Sequence, residues 1–330
     1  MKFIIVILLL GVLSFFMTFL IRRFALRKGW ISLPNERSLH DIPTPHGGGV
    51  AIVISWYIGI TFLYFSGIIE REFFFALLCG ILLAVVSLVN DYLNIRPWIR
   101  LIFHFISAVG AFYFLGGLRP LIIPGININY PLLIYPLAIV GMVWFINLFN
   151  FMDGVDGFAS VQAIIICAVA FIFTWDLSTI LLIVCITGFL YWNWPKAKIF
   201  MGDVGSTQLG FILVVSGIYF HNIVEFSIMN WIMLASPFWF DATLTLFRRM
   251  INRENLGEAH RKHAYQRIVR AGLSHEKVNI FLIIINLVNI GLISVYRAEK
   301  HLQISLFIFT LLFYYLITLY VDRKLPFNKD

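Results

Sequence analysis

The sequence predicts an all-α protein, a polytopic membrane helix bundle, and three observations carry that expectation. First, 60% of the 330 residues are apolar and only 13% are charged, against about 45–50% and about 25% in ordinary globular domains. Mean hydropathy is +0.89. Second, the apolar residues fall into eleven stretches, near 3–20, 48–67, 73–89, 101–117, 132–149, 158–174, 179–194, 207–221, 228–246, 278–296 and 302–321. A helix needs about 20 such residues to cross a bilayer, with a range of about 17–25. Third, Lys and Arg favour alternate connections between the stretches, as the positive-inside rule requires of a multi-pass chain. So much apolar surface cannot be hidden inside a soluble fold of this size. The composition excludes a cytosolic enzyme, a disordered chain and a disulfide scaffold.

Lys2 precedes the first stretch, so a signal peptide is conceivable there. No small-residue cleavage site follows it; Arg22, Arg23, Arg27 and Lys28 follow instead, which predicts a retained helix. The seventh and eighth stretches are short for a span. The connections 21–47, 90–100, 150–157, 195–206 and 247–277, together with 322–330, hold twenty of the 25 Lys and Arg. That asymmetry predicts a single integral-membrane domain over 1–330 of about eleven helices. It also predicts an N-terminus outside, a C-terminus inside, and these connections facing the cytoplasm. The net charge of +8 belongs to this topology and gives no reason to expect nucleic acid. Cys79, Cys167 and Cys185 sit in apolar runs at spacings that suit neither zinc nor disulfides.

The polar clusters all fall on the expected cytoplasmic side. In Asn147-Leu-Phe-Asn150-Phe-Met-Asp153-Gly-Val-Asp156-Gly157, amide and carboxylate side chains recur every three residues, which places neighbours on one helix face. The glycines then end the helix and let backbone approach a ligand. Such oxygens suit a hard cation; a capped helix terminus is the plainer reading, but DGVDG is richer than caps require. In Phe200-Met-Gly-Asp203-Val-Gly205-Ser206-Thr207, Asp203 lies in a loop before a helix that Ser206 or Thr207 can cap, and the free N–H groups of such a helix attract phosphate.

Asn90-Asp91-Tyr-Leu-Asn94-Ile-Arg96-Pro97-Trp98-Ile-Arg100 adds a carboxylate at similar depth, with the two arginines read either as phosphate binders or, more simply, as interfacial anchors. His260-Arg261-Lys262-His263-Ala-Tyr265-Gln266-Arg267 is an anion-binding cluster. Positive-inside placement explains its Lys and Arg but not its His. The segment from Pro34 through Glu36, Arg37, His40, Pro45 and His46 to Gly47-Gly48-Gly49 enters the second stretch, and its glycine amides are candidates to meet an anion or a base. Carboxylates, a basic loop and glycine loops on one face are what a Mg²⁺–diphosphate substrate requires.

These motifs, in this order and at these spacings, resemble the polyprenyl-phosphate N-acetylhexosamine-1-phosphate transferases of glycosyltransferase family 4, a group related to phospho-MurNAc-pentapeptide translocase. The likeness runs from about Pro34 to Gln266, and NxxNxxDGxDG followed by FMGDxGS carries it. AHRKHAYQR looks most like the branch that starts O-antigen chains. The resemblance implies a reaction at the bacterial cytoplasmic (inner) membrane. Undecaprenyl phosphate would attack the sugar-bearing phosphate of a UDP-N-acetylamino sugar, forming undecaprenyl-diphosphate-sugar and releasing UMP. It implies Mg²⁺, with Mn²⁺ as an alternative, and allows a homodimer.

By the same resemblance, Asp203 and Asn150 match metal ligands and Phe200 matches an aromatic that stacks on uracil. Asp156 matches the reader of the uracil edge, with Asp153 beside it, and Asn147 belongs to the same motif. Asp91 matches the second of a paired Asp that orients or deprotonates the lipid phosphate, and Asn94 falls where the sugar is contacted. His260, Arg261, Lys262 and His263 fall in the motif that holds diphosphate and sugar, with His263 among the catalytic candidates. His40, Gly47 and Gly48 cover the nucleotide end. One departure stands out: Asn90 occupies the place of the family's first Asp.

A transporter would also have many helices, but it predicts ionisable groups near the midplane and repeated halves. An intramembrane prenyltransferase gives no reason for FMGDVGS, and an inactive scaffold of the same fold would rest on Asn90. Asp241, in SPFWFDATL, is read either as a site residue or as a partner of Arg248 or Arg249.

Overall fold

The computed structural model of the chain describes residues 2–34, 38–93, 95–123, 126–128, 130–258 and 260–328. It is 76% helical. In chain order the helices are α1 (Lys2–Lys28), α2 (Gly49–Phe65), α3 (Arg71–Leu78), α4 (Gly80–Leu93), α5 (Pro97–Phe114), α6 (Pro131–Phe151) and α7 (Phe158–Thr174). They continue with α8 (Leu177–Asn193), α9 (Gly202–Asn222), α10 (Ile228–Leu234), α11 (Ser236–Ile251), α12 (Ala264–Arg270), α13 (His275–Ala298) and α14 (Gln303–Lys324). The all-α expectation needs one small correction. Two antiparallel pairs, β1 (Ile31–Ser32) with β2 (Thr44–Pro45) and β3 (Leu121–Ile123) with β4 (Ile126–Ile128), close connections at opposite ends of the bundle.

Seven helices of the described residues are long and apolar enough to cross a membrane, counting α3 and α4 as one, and three shorter apolar helices accompany them. Each of the eleven expected stretches falls in helix, two of them in helices that are broken. The third stretch breaks at Cys79, where side chains serve helix carbonyls: Tyr57 Oη donates to Leu77 O (2.8 Å) and Gln208 Nε2 donates to Gly80 O. The ninth breaks at Ala235, ahead of Pro237, whose ring opposes a helical carbonyl four residues back. That carbonyl, Met233 O, is taken instead by Ser236 Oγ (2.5 Å) and Asn289 Nδ2 (3.1 Å).

The centre of the bundle is α9, 94% of whose apolar window is buried. It packs against α6, α4 and α2, while α1 runs along α8 on the outside. Approach to α9 is close because of glycine: a Cβ on Gly49 would run into the Gly205 backbone. Outward faces such as Leu8, Leu132 and Leu316 stay exposed, as a lipid-facing surface should. Buried polar side chains pair with each other, as hydrocarbon demands: Asn286 Nδ2 donates to Gln162 Oε1 (2.7 Å), and Asn289 Nδ2 contacts Tyr314 Oη (2.7 Å).

Candidate active site

The ends of α4, α6 and α8, the starts of α9 and α13, and the β1–β2 connection meet at one end of the bundle. They enclose a cleft of about 410 Å³ lined by His40, His46, Asp91, Asn150, Asp153, Asp156, Phe200, Asp203, Gln266 and His275, among others. Four carboxylates from three separate motifs thus reach one space.

Helix α9 begins at Gly202, whose φ of 77° is left-handed and suits glycine. Its amides point to the cleft end, and Asp91, from the last turn of α4, receives the Asp203 N–H on Oδ1 (3.1 Å). The cap of α9 is therefore a carboxylate from another helix. Ser206 and Thr207 do not cap it, contrary to the sequence expectation. Their hydroxyls donate back to Gly202 O and Asp203 O, one turn earlier. The other oxygen, Asp91 Oδ2, is buried with no hydrogen-bond partner.

Asp203 is held from the side. Asn90 Nδ2 (2.7 Å) and Arg100 Nη1 (2.8 Å) both donate to its Oδ2. Arg100, expected to be an interfacial anchor, is instead the counter-ion of a cleft carboxylate. Across the cleft, burial raises the Asp153 carboxyl well above the ordinary range, and the charges of Asp203, Asp156 and Asp91 add to that shift. Burial lowers His46, with Asp203 pulling the other way.

Asp156 is gripped on several sides. Its Oδ2 receives the Ala197 N–H (3.0 Å) and faces His275 Nδ1 (3.2 Å), and its carbonyl receives Asn279 Nδ2 (2.8 Å). Phe200 is fixed by its N–H to Pro45 O (2.8 Å) and by an edge contact with His40, ring centroids 4.8 Å apart.

Several expected residues lie elsewhere. Two amides of the glycine segment are engaged within the chain: Gly48 N–H is bound to Phe200 O (2.9 Å) and Gly49 N–H to Met201 O (2.8 Å). These glycines tie α2 to the strand of chain that carries Phe200. Asn147 sits a turn deeper than Asn150 and donates to Val143 O (2.7 Å). Asn94 lies outside the described residues.

The basic loop also reads differently. His263 is buried at the start of α12 with its Nδ1 3.8 Å from Asp241, off the cleft. Lys262 pairs with Glu254 (2.7 Å). Burial, then the neighbouring His263 and Arg249, push His260 down to about 3, so it carries no charge at neutral pH. Arg261 has no hydrogen bond or ion pair among the described residues.

What α12 brings to the cleft is its next turn. Tyr265 Oη donates to Phe151 O (2.8 Å) and closes on Gly154, and Gln266 lines the cleft. Asp241 explains that placement. It accepts Ala264 N–H (2.8 Å) and Tyr265 N–H (3.2 Å) and so caps α12. It pairs with neither Arg248 nor Arg249, which bind Asp322 and Glu254.

Arg100, His46, Gln266 and His275 were missed as site residues. His46 and Gln266 stood inside motifs already singled out, while positive-inside placement masked Arg100. No local pattern pointed to His275.

Cations fit the donor set: an orphaned carboxylate oxygen on Asp91 and four carboxylates crowded with one arginine are chemistry for a hard ion. Among the described residues no three His, Cys, Asp or Glu side chains converge on one point. A hard ion such as Mg²⁺ needs only one or two of these carboxylates, its shell being completed by water and phosphate oxygens.

The profile described as glycosyl transferase family 4 matches residues 73–221, which carry Asn90, Asp91, Asn150, Asp153, Asp156, Phe200 and Asp203. That segment, just under half of the chain, is similar to glycosyl transferase family 4. A probable undecaprenyl-phosphate N-acetylglucosaminyl 1-phosphate transferase of Bacillus subtilis is 27% identical, over 94% of this chain and 90% of its own. An undecaprenyl-phosphate alpha-N-acetylglucosaminyl 1-phosphate transferase of Thermotoga maritima is 26% identical over 77% and 78%. A phospho-N-acetylmuramoyl-pentapeptide-transferase of Streptococcus suis is 31% identical over 53% and 58%. With seven helices long and apolar enough to cross a membrane among the described residues, the protein is a multi-pass membrane protein.

Proposed function

We propose that the protein transfers an N-acetylamino-sugar-1-phosphate from a UDP-sugar to undecaprenyl phosphate, at the cytoplasmic face of a bacterial inner membrane. The lipid phosphate oxygen bonds to the sugar-bearing phosphorus as that phosphorus parts from the bridging oxygen. UMP leaves with the bridging oxygen, and undecaprenyl-diphosphate-sugar remains. The product would start an O-antigen or similar envelope polysaccharide.

The observation that carries this reading is the cleft itself: Asp91, Asp153, Asp156 and Asp203 line one space at the bundle's end, with Arg100 on Asp203. Asn150 and Asp203 are the residues that would hold Mg²⁺. When bound, it would neutralise the diphosphate and the charge building on the leaving UMP. Arg100 supplies a fixed positive charge beside that position. Asp91 presents its unpartnered oxygen toward the acceptor and orients it. A strong base is not required, because a phosphate monoester has a second pKa of about 6 and is largely dianionic at neutral pH. Phe200, braced by His40 and the β2 carbonyl, offers a ring face for the base.

The test is UMP release. Purified protein with undecaprenyl phosphate, Mg²⁺ and a panel of UDP-N-acetyl sugars should release UMP from one donor, dependent on lipid and metal and absent in Asp203→Ala. Folded protein that releases UMP from no donor would sink the reading.

A further inference from the structure

We infer that His275 is a positioning residue for the donor nucleotide, acting through Asp156; this rests on the function proposed above. Three features of α13 carry it. His275 Nδ1 lies 3.2 Å from Asp156 Oδ2 and 3.4 Å from the Asp156 main-chain nitrogen, so the ring meets both the carboxylate, as donor, and the main-chain N–H, as acceptor in its other tautomer. One turn on, Asn279 donates to the Asp156 carbonyl (2.8 Å) and is itself fully buried. Residues four apart share a helix face, so the first turn of α13 grips residue 156 by main chain and side chain together.

From the opposite side the Ala197 N–H takes the same oxygen, Oδ2 (3.0 Å). With its proton on Nδ1, His275 joins the Ala197 N–H in donating to that one oxygen, and Oδ1 has no hydrogen-bond partner among the described residues. A carboxylate held in this way cannot rotate freely, and its unengaged oxygen is available to the cleft that both Asp156 and His275 line. An N–H donor on the ligand, such as the one on the edge of a uracil ring, is the chemistry that oxygen accepts. The imidazole's task is to keep the carboxylate turned that way. Removing it leaves the Asp156 carboxylate a single hydrogen bond, from the Ala197 N–H, and freedom to turn, which weakens nucleotide binding before it affects chemistry.

The experiment compares wild type, His275→Ala, His275→Gln, Asp156→Asn and the His275→Ala/Asp156→Asn double variant. UMP affinity is measured by calorimetry, and KM and kcat by UMP release. In His275→Ala, UMP affinity should fall about tenfold, the size of one charge-assisted hydrogen bond. Donor KM should rise to match, while acceptor KM, kcat and thermal midpoint hold. His275→Gln, whose amide can still donate, should recover most of the loss. The double variant should lose no more than Asp156→Asn alone, because residues that act as one unit are not additive.

Equal UMP binding by wild type and His275→Ala would overturn this inference and leave the transferase reading standing. So would additive losses, or a fall in thermal midpoint with both KM values and kcat moving together. A wild-type protein that binds no uridine nucleotide would sink both.

Discussion

Asn90 donates to Asp203 Oδ2 at 2.7 Å, side by side with Arg100. The residue that departs from the family's paired acids is therefore a direct partner of the residue matched to its metal ligand. A carboxylate at 90 would face another carboxylate at hydrogen-bond distance, whereas the amide satisfies it. Without metal, the amide and the arginine together offset the charge of Asp203. Asn90→Asp should lower the thermal midpoint of metal-free protein in detergent and enlarge the upward shift produced by Mg²⁺. Equal midpoints and equal Mg²⁺ shifts in the two proteins would show that the contact contributes nothing.

The Asp153 carboxyl is raised by burial and by its three acidic neighbours, which fixes the sign of a pH effect. Below the ordinary Asp value of about 3.9 the group is protonated folded and unfolded alike, and its contribution to stability is fully present. As pH climbs through the raised folded value, ionisation in the crowded cleft costs stability. Metal-free protein should lose thermal midpoint over that rise, and Asp153→Asn should flatten the slope. Mg²⁺ should flatten it too, by offsetting the shared charge. A wild-type slope that survives Asp153→Asn would assign the effect to another group.

The helix ends that bear the acids were legible because each lay beside an apolar stretch: Asn150 and Asp153 after the fifth, Asp203 before the eighth. What stayed hidden was the long-range pairing. Asp91 capping α9 and Asp241 capping α12 join residues 112 and 23 apart, and no local spacing records such a bond. Ser206 and Thr207 looked like caps because their residue types are right, yet the cap came from another helix. Gly48 and Gly49 read as ligand-binding amides because glycine signals close approach; the approaching group proved to be the chain's own backbone. The break in the ninth stretch has a local signal, Pro237, that the expectation of one unbroken stretch passed over, whereas the break at Cys79 depends on Tyr57 and Gln208 from other helices.

Asp241 serves α12 as Asp91 serves α9, and losing it should show in the cleft. Removing a side-chain cap costs about 0.5–2 kcal/mol. Here two main-chain N–H groups would be orphaned together. Asp241→Ala should raise hydrogen exchange across 264–270 and, through Tyr265 and its bond to Phe151 O, lower kcat. Asp241→Asn keeps one acceptor and should fall between. Unchanged exchange in 264–270 would remove Asp241 from this role.

The other end of α12 is fixed by Asp322, and two ion pairs there should differ in weight. Asp322 binds Arg267 (2.6 Å), whose side chain is 1% exposed, and Arg248 (2.9 Å), which is 22% exposed. Arg267 also donates to Leu325 O (2.9 Å), and Phe327 sits within 5.5 Å of both guanidiniums. Removing the shared carboxylate strands a buried cation, which costs about 3–5 kcal/mol; removing a partly exposed partner costs about 0–1 kcal/mol. Thermal midpoints in detergent should therefore rank wild type, then Arg248→Ala slightly lower, then Asp322→Ala far lower. Because Arg267 belongs to the helix that presents Tyr265 and Gln266 to the cleft, the loss in Asp322→Ala should carry turnover down with it. If Arg248→Ala proves as damaging as Asp322→Ala, the exposed pair bears the load and the buried arginine does not set the position of α12.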